Sequence, residues 1–179
     1  ENSHRVVPVE SCLIQDSKAD EIARSVRAIM KECKLLPYDE DSETGLLRHL
    51  LVRRASRTGE ILAALVTTTQ QEVDLESWKE RLLSLPLNGK FAGILHITND
   101  SMSDAVKCDS SEILYGRDYF YEELLGLKFR ISTFSFFQTN TCGAEVLYET
   151  AREYVGSLVK EEGKPDSIVY DLYSGTGTI

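Results

Sequence analysis

The segment Ile168-Val169-Tyr170-Asp171-Leu172 runs directly into Tyr173-Ser174-Gly175-Thr176-Gly177-Thr178-Ile179, where the sequence stops. An apolar strand that carries an acidic residue near its end and passes into a Gly-x-Gly turn points to an open α/β architecture. Such a turn brings main chain close to an adenosyl ligand at the carboxyl edge of a sheet. Glycine lacks Cβ, so the backbone can approach the ligand, and a carboxylate at the strand end can accept hydrogen bonds from a cationic amino group. The position of Asp171 four residues before Gly175 favours an S-adenosylmethionine turn over a nicotinamide one, where the first glycine usually follows the apolar strand directly. The sequence is therefore expected to be the front part of an enzyme.

The 179 residues, 42% of them hydrophobic, suffice for one ordinary domain or for one and part of another. No apolar run reaches the ~18 residues of a membrane span. The polar start Glu1-Asn2-Ser3-His4 is not a secretory signal, and the missing initial methionine suggests a processed, trimmed or recombinant fragment. The expected compartment is the cytoplasm. Cys12, Cys33, Cys108 and Cys142 are widely spaced without a CxxC pair, which argues for reduced thiols rather than a zinc knuckle or a disulfide framework. A formal charge of -9 repels a polyanion on average, so any nucleic-acid contact must come from local patches.

Patterning along the chain reads β-α-β-β-α-β. A short strand at Arg5 to Val9 precedes a helix opened by Ser17-x-x-Asp20 and buried through Ile22, Val26, Ile29 and Cys33. Residues 46–54 and 60–68 form a hairpin around Ser56-Arg57-Thr58-Gly59. A helix from Leu75 to Leu85, with Trp78 and Leu82 inward, leads to a strand at Phe91 to Thr98. After a polar loop at Asn99 to Ser111, the stretch Ile113 to Ser132 reads as further strands interrupted at Gly116 and Gly126. The expected fold is an α+β central domain over residues 1–132, a mixed sheet with helices on one face. The first helix and strand of a truncated α/β Rossmann-like domain follow over 133–179. In that helix Ala144, Leu147, Ala151, Tyr154 and Leu158 make the apolar stripe.

A second motif lies just before the helix, in Phe134-Ser135-Phe136-Phe137-Gln138-Thr139-Asn140. Asn140 reads as a helix N-cap, and Phe136 and Phe137 read as packing residues rather than a base-stacking platform. Gln138 stands out, because its amide has both a donor and an acceptor to satisfy.

Phe129-x-Ile131-Ser132-x-Phe134-Ser135-Phe136-Phe137-Gln138-Thr139-Asn140, then Ala144-Glu145-x-Leu147-Tyr148, then Asp171 to Ile179, resembles the bacterial RNA uracil-C5 methyltransferases that modify tRNA and ribosomal RNA. Val7-x-Val9-x-x-Cys12-x-Ile14, Leu47-Arg48-His49 and Gly116-x-Asp118 extend the likeness more loosely. Thr133 stands where a proline is frequent, and Ser174 where a cysteine is frequent. The resemblance implies that Gln138 and Tyr173 contact S-adenosylmethionine, with Asp171, Gly175, Gly177 and Thr178 completing the first loop. It also implies an RNA substrate, and a nucleophilic cysteine with a helper residue near the carboxyl terminus, beyond this sequence. Cys12 matches the last ligand of the iron-sulfur cluster found in some relatives, whose other cysteines precede it.

Arg48, His49, Arg53, Arg54 and Arg57 concentrate positive charge on the first hairpin, where RNA phosphates are a candidate partner. Cys142, beside a helix start, has the most thiolate bias of the cysteines outside the cluster motif, but none reads as the nucleophile. His4, His49 and His96 make no metal set. Alternatives to the methyltransferase are a nicotinamide-dependent oxidoreductase, on the same Gly-x-Gly, and a noncatalytic RNA-binding module, on the hairpin arginines. The final strand, cut off from its neighbours, is expected either to be disordered or to lie against another copy or the first domain.

Overall fold

The computed structural model describes residues 9–87, 89–102 and 106–162, and further on Ile168, Tyr170 and Leu172. Its centre is a four-stranded mixed sheet in the order β1-β2-β3-β4, made of β1 (Leu47–Arg54), β2 (Glu60–Thr67), β3 (Lys90–Thr98) and β4 (Ser110–Gly116). β1 and β2 form an antiparallel hairpin, with Arg54 opposite Ile61. β3 runs parallel to β2 and antiparallel to β4. A parallel neighbour cannot be reached by a tight turn, so the chain crosses through α2 (Leu75–Leu83).

The sequence of β2 explains the layers. Seven of its eight residues are buried, with no polar alternation, the signature of a strand covered on both faces. Ile61, Ala63 and Leu65 face a cluster with Ile22, Val26 and Ile29 of α1 (Ser17–Glu32) and Trp78 and Leu82 of α2. Leu62, Ala64 and Val66 face the opposite cluster. It is filled by Phe120 and Leu124 of β5 (Tyr119–Leu124), Ile131 of β6 (Leu127–Ser132), Phe137, and Ala144 and Tyr148 of α3 (Thr141–Glu162). Burying one such aliphatic side chain contributes about 1.5–3 kcal/mol. The expected mixed sheet is present, with helices α1 and α2 together on one face as expected. The other is roofed by the antiparallel β5–β6 ribbon and the first two turns of α3.

Local details differ from the sequence reading in instructive ways. The N-cap of α1 is Asp16, whose side chain accepts the Lys18 N–H at 2.8 Å, one residue before the expected Ser17. Asp20 instead turns back to the preceding loop, where it accepts the Cys12 N–H and the Gln15 amide. Cys33 is exposed at the C-cap rather than on the buried face, because the helix ends at Glu32 and Lys34 takes a left-handed φ of 55°. In α3 the inward residues are Ala144 and Tyr148, whereas Leu147 and Tyr154 of the expected stripe are 56% and 69% exposed. Ala151 is half-buried, and the side chain of Leu158 lies outside the described residues. Asn140 caps α3 as its position suggests, accepting the Gly143 N–H at 2.9 Å.

Of the expected amino-terminal strand only Val9 is described, and it is exposed. Asp171, Tyr173, Gly175, Gly177 and Thr178 lie outside the described residues. Ile168, Tyr170 and Leu172 of the last expected strand are exposed. No helix among the described residues is long and apolar enough to cross a membrane.

Two glycines permit the closest backbone approach in the sheet. A Cβ on Gly93 would sit 1.7 Å from the Arg117 carbonyl oxygen, and one on Gly116, at φ +67°, 2.2 Å from that of Ala92. Both obstacles are main chain and cannot swing away. Gly93→Ala is therefore expected to cost about 3 kcal/mol or more, or to abolish folding, measured by thermal and denaturant unfolding. A variant that melts with the parent would show that β3 and β4 are not so closely apposed.

Candidate functional site

A cleft of about 410 Å³ opens where the start of α1, the end of β1, the inner face of β5 and the segment leading into α3 converge. It brings together two residues that the sequence separates by more than a hundred positions, Cys12 and Gln138. Arg53, Arg54, Glu122 and Thr141 supply its polar wall, and Phe120 and Phe137 its apolar one.

The segment holding Gln138 is fixed at both ends. On one side Phe137 is buried against Phe129, with ring centroids 5.9 Å apart. On the other, Asn140 and Thr141 start α3. Phe136, read as a packing residue, is instead 72% exposed, and Phe134 is 50% exposed. Only one aromatic of the run can face inward when the next residue must reverse into the cleft. Gln138 itself is half-buried, and its amide takes no hydrogen-bond partner among the described residues. A half-buried amide with free donor and acceptor capacity is suited to a polar ligand.

Glu122 is the one acidic side chain of the cleft wall that is nearly inaccessible, at 2% exposure. Its two oxygens accept the N–H groups of Ser56 at 2.5 Å, Arg57 at 2.9 Å and Glu123 at 3.0 Å, and the Thr141 hydroxyl at 3.0 Å. A buried carboxylate without a cation is tolerable only when hydrogen bonds replace water in this way. No local pattern around Glu122-Glu123 marks this side chain as buried.

The hairpin arginines are engaged inside the molecule. Arg48 lies 4.4 Å over the Tyr38 ring and donates to the carbonyls of Asn99 and Ser101. Arg53 donates to the carbonyls of Ser132, Thr133 and Ser135 at 2.8, 3.2 and 2.7 Å, and burial pushes its pKa below the ordinary guanidinium value. Arg54 pairs with Asp16 and Arg57 with Glu145, both at 2.5 Å. The hydrogen bond from Arg57, followed by that from the Leu125 N–H, holds the Glu145 carboxyl below its usual range. A phosphate would have to compete with these partners.

Positive charge of a kind the sequence reading passed over lies on the outer face of the β5–β6 ribbon. Tyr119 is flanked by Arg130 at 4.0 Å and Arg117 at 4.9 Å, and Tyr121 by Lys128 at 4.0 Å and Arg117 at 5.2 Å. The period-two spacing of Tyr119 with Tyr121, and of Lys128 with Arg130, on either side of Gly126 was the available signal.

Cys12 is half-buried, and Cys33, Cys108 and Cys142 are exposed. An iron-sulfur cluster needs four ligands, typically thiolates. No group of three or more metal-ligating side chains occurs among the described residues, so those present do not fit a cluster.

Comparisons place this geometry. No family model matches the sequence. In its fold, the chain matches the crystal structure of a Pyrococcus abyssi tRNA (uracil-54, C5)-methyltransferase in complex with S-adenosyl-L-homocysteine, with a TM-score of 0.68 at 22% identity, over 86% of this chain and 36% of that one. In sequence, it is 44% identical over 177 residues to a Clostridium tetani protein named as an uncharacterized RNA methyltransferase, covering 99% of this chain and 38% of that protein. A second, from Caldanaerobacter subterraneus, is 45% identical over 174 residues, covering 97% and 37%. One from Streptococcus mutans is 37% identical over 179 residues, covering 99% and 38%. The chain is thus a homologue of RNA methyltransferases along nearly its whole length, and spans a little over a third of theirs.

One pairing close to the site makes a pH-dependent contribution. Glu60 accepts two hydrogen bonds from Arg117 at 2.6 Å and one from the Tyr121 N–H at 2.7 Å. Burial alone would raise its pKa, but these partners outweigh it and the net shift is downward. The stabilisation is therefore complete above the ordinary carboxylate range and is lost as pH falls through the lowered folded value. Glu60→Gln should flatten the loss of stability between about pH 5 and pH 3, read from denaturant titrations across that range. Equal acid sensitivity in variant and parent would show that the contact contributes nothing.

Proposed function

We propose that this chain is the central part of an S-adenosylmethionine-dependent RNA uracil-C5 methyltransferase acting on tRNA or ribosomal RNA in the cytoplasm. On this reading residues 1–132 form the central domain and residues 133–179 begin the donor-binding Rossmann-like domain. The observation that carries it is the amide of Gln138, without a hydrogen-bond partner among the described residues and held at a cleft between a buried aromatic and a capped helix start. The homology to RNA methyltransferases supports the class. The fold shared with a uracil-C5 enzyme that binds S-adenosyl-L-homocysteine supports the finer reading.

C5 of uracil is a weak nucleophile, so the chemistry starts with a cysteine thiolate adding to C6. The resulting enolate takes the methyl group at C5, a base removes the C5 proton, and the thiolate departs. S-adenosylmethionine supplies the methyl group. Gln138 offers a donor and an acceptor to orient that ligand, with Asp171, Tyr173, Gly175, Gly177 and Thr178 assigned the remaining contacts. Among the described cysteines only Cys12 reaches the cleft, and its thiol belongs to the wall rather than to the attacking position. The nucleophile and base come from sequence beyond these 179 residues.

Two measurements test this. The 179-residue polypeptide should transfer no labelled methyl group to RNA, whereas the full-length protein should, with 5-methyluridine as the product on nucleoside analysis. In the full-length protein Gln138→Ala should weaken S-adenosylhomocysteine binding by about tenfold, read by calorimetry. Robust turnover by the short polypeptide, or a methylated base other than uracil, would overturn the proposal.

A further inference from the structure

Gln138 does not sit on a regular element. The four residues before it, from Phe134 to Phe137, form neither helix nor strand, and the helix starts only at Thr141. A side chain that must meet a ligand within a few tenths of an ångström needs its backbone held from outside the segment. Two polar groups of the central sheet and ribbon do this. Neither is explained by its own element.

The first is Arg53, at the end of β1. A guanidinium aimed at three main-chain carbonyls, those of Ser132, Thr133 and Ser135, makes no use of its capacity for a carboxylate or a phosphate. It closes the turn in which the Ser135 N–H also bonds the Ser132 carbonyl at 3.3 Å and the two serine hydroxyls meet at 2.6 Å. The second is Glu122, on the inner face of β5, which ties the hairpin turn at Ser56 and Arg57 to the Thr141 hydroxyl at the first residue of α3. Arg53 thus fixes the chain before Gln138, and Glu122 fixes it after.

We infer that Arg53 and Glu122 are positioning residues that set the Gln138 segment before any ligand arrives. This inference rests on the reading of Gln138 as a methyl-donor contact. It assigns Arg53 to the donor site rather than to RNA phosphates. The cost of ordering residues 134–140 is then met during folding, so it is not charged against donor affinity.

The test uses the full-length protein and S-adenosylhomocysteine as the probe. Arg53→Met should weaken its binding about tenfold, the size expected when charge-assisted hydrogen bonds are lost. It should also speed amide hydrogen exchange across residues 132–140 while leaving β2 and β3 protected. Arg53→Lys, which keeps the charge and part of the donor set, should recover part of both. Thr141→Val removes one hydroxyl from Glu122 with little change in volume, and should shift both readouts in the same direction by a smaller factor. It decides the matter if Arg53→Met fails to fold.

Unchanged donor affinity and unchanged exchange in Arg53→Met, or in Thr141→Val where the first does not fold, would overturn the inference. So would an Arg53→Met protein that binds the probe normally but loses RNA affinity with its salt slope reduced by about one, since that marks a phosphate contact. If Gln138→Ala leaves probe binding intact, the donor-site reading fails instead. The exchange data would still report whether the two residues hold the segment.

Discussion

The structure depends on β2 being apolar on both faces. Ile61, Ala63 and Leu65 demand one cover, and Leu62, Ala64 and Val66 demand another. A strand of this kind cannot lie at a surface, so the chain must supply two layers from what remains. Helices α1 and α2 meet the first demand. The second falls to the β5–β6 ribbon and the start of α3, because no further helix lies among the described residues between β3 and residue 132.

That second cover is what makes a site. A two-stranded ribbon is too narrow to roof a four-stranded sheet, and the chain leaving β6 folds back over the gap through Phe137, Ala144 and Tyr148. The turn and the helix start sit at the rim, opposite the loop that precedes α1. The cleft is the space left between them. Arg53, Glu122 and Thr141 of its wall are spent on joining elements, and Arg54 pairs with Asp16 while its buried Nε takes no partner among the described residues, so open polar capacity lies at the Gln138 amide and at Arg54 Nε. Buried hydrogen-bonded charges contribute more to a fixed arrangement than to net stability, since each gives up hydration to form its contacts.

Much of the fold could be read in advance where a single period decided it. The hairpin, the crossover helix with Trp78 and Leu82 inward, the β3 strand and the Asn140 cap are local patterns and are present. The readings that missed were those in which two local choices competed. Asp16 and Ser17 are both good caps, and the position of the first buried turn selects Asp16. In Phe134 to Phe137 any ring might have packed, and only the path of the chain selects Phe137. The stripe on α3 is helical as expected, yet among the described side chains of that helix those buried in the core, Ala144 and Tyr148, lie in the first two turns.

What the sequence determined by itself is therefore the order and type of the elements between α1 and α3, and a resemblance that singled out Gln138. Hydrophobic period and turn chemistry act over a few residues and need no partner. Only the tertiary structure decided that Cys12 shares a cleft with Gln138, that the hairpin arginines are bonded inward, and that Glu122 is a buried joint rather than a surface charge. Burial and hydrogen-bond partnership are relations between distant residues, and no local pattern encodes which carbonyl a guanidinium will meet.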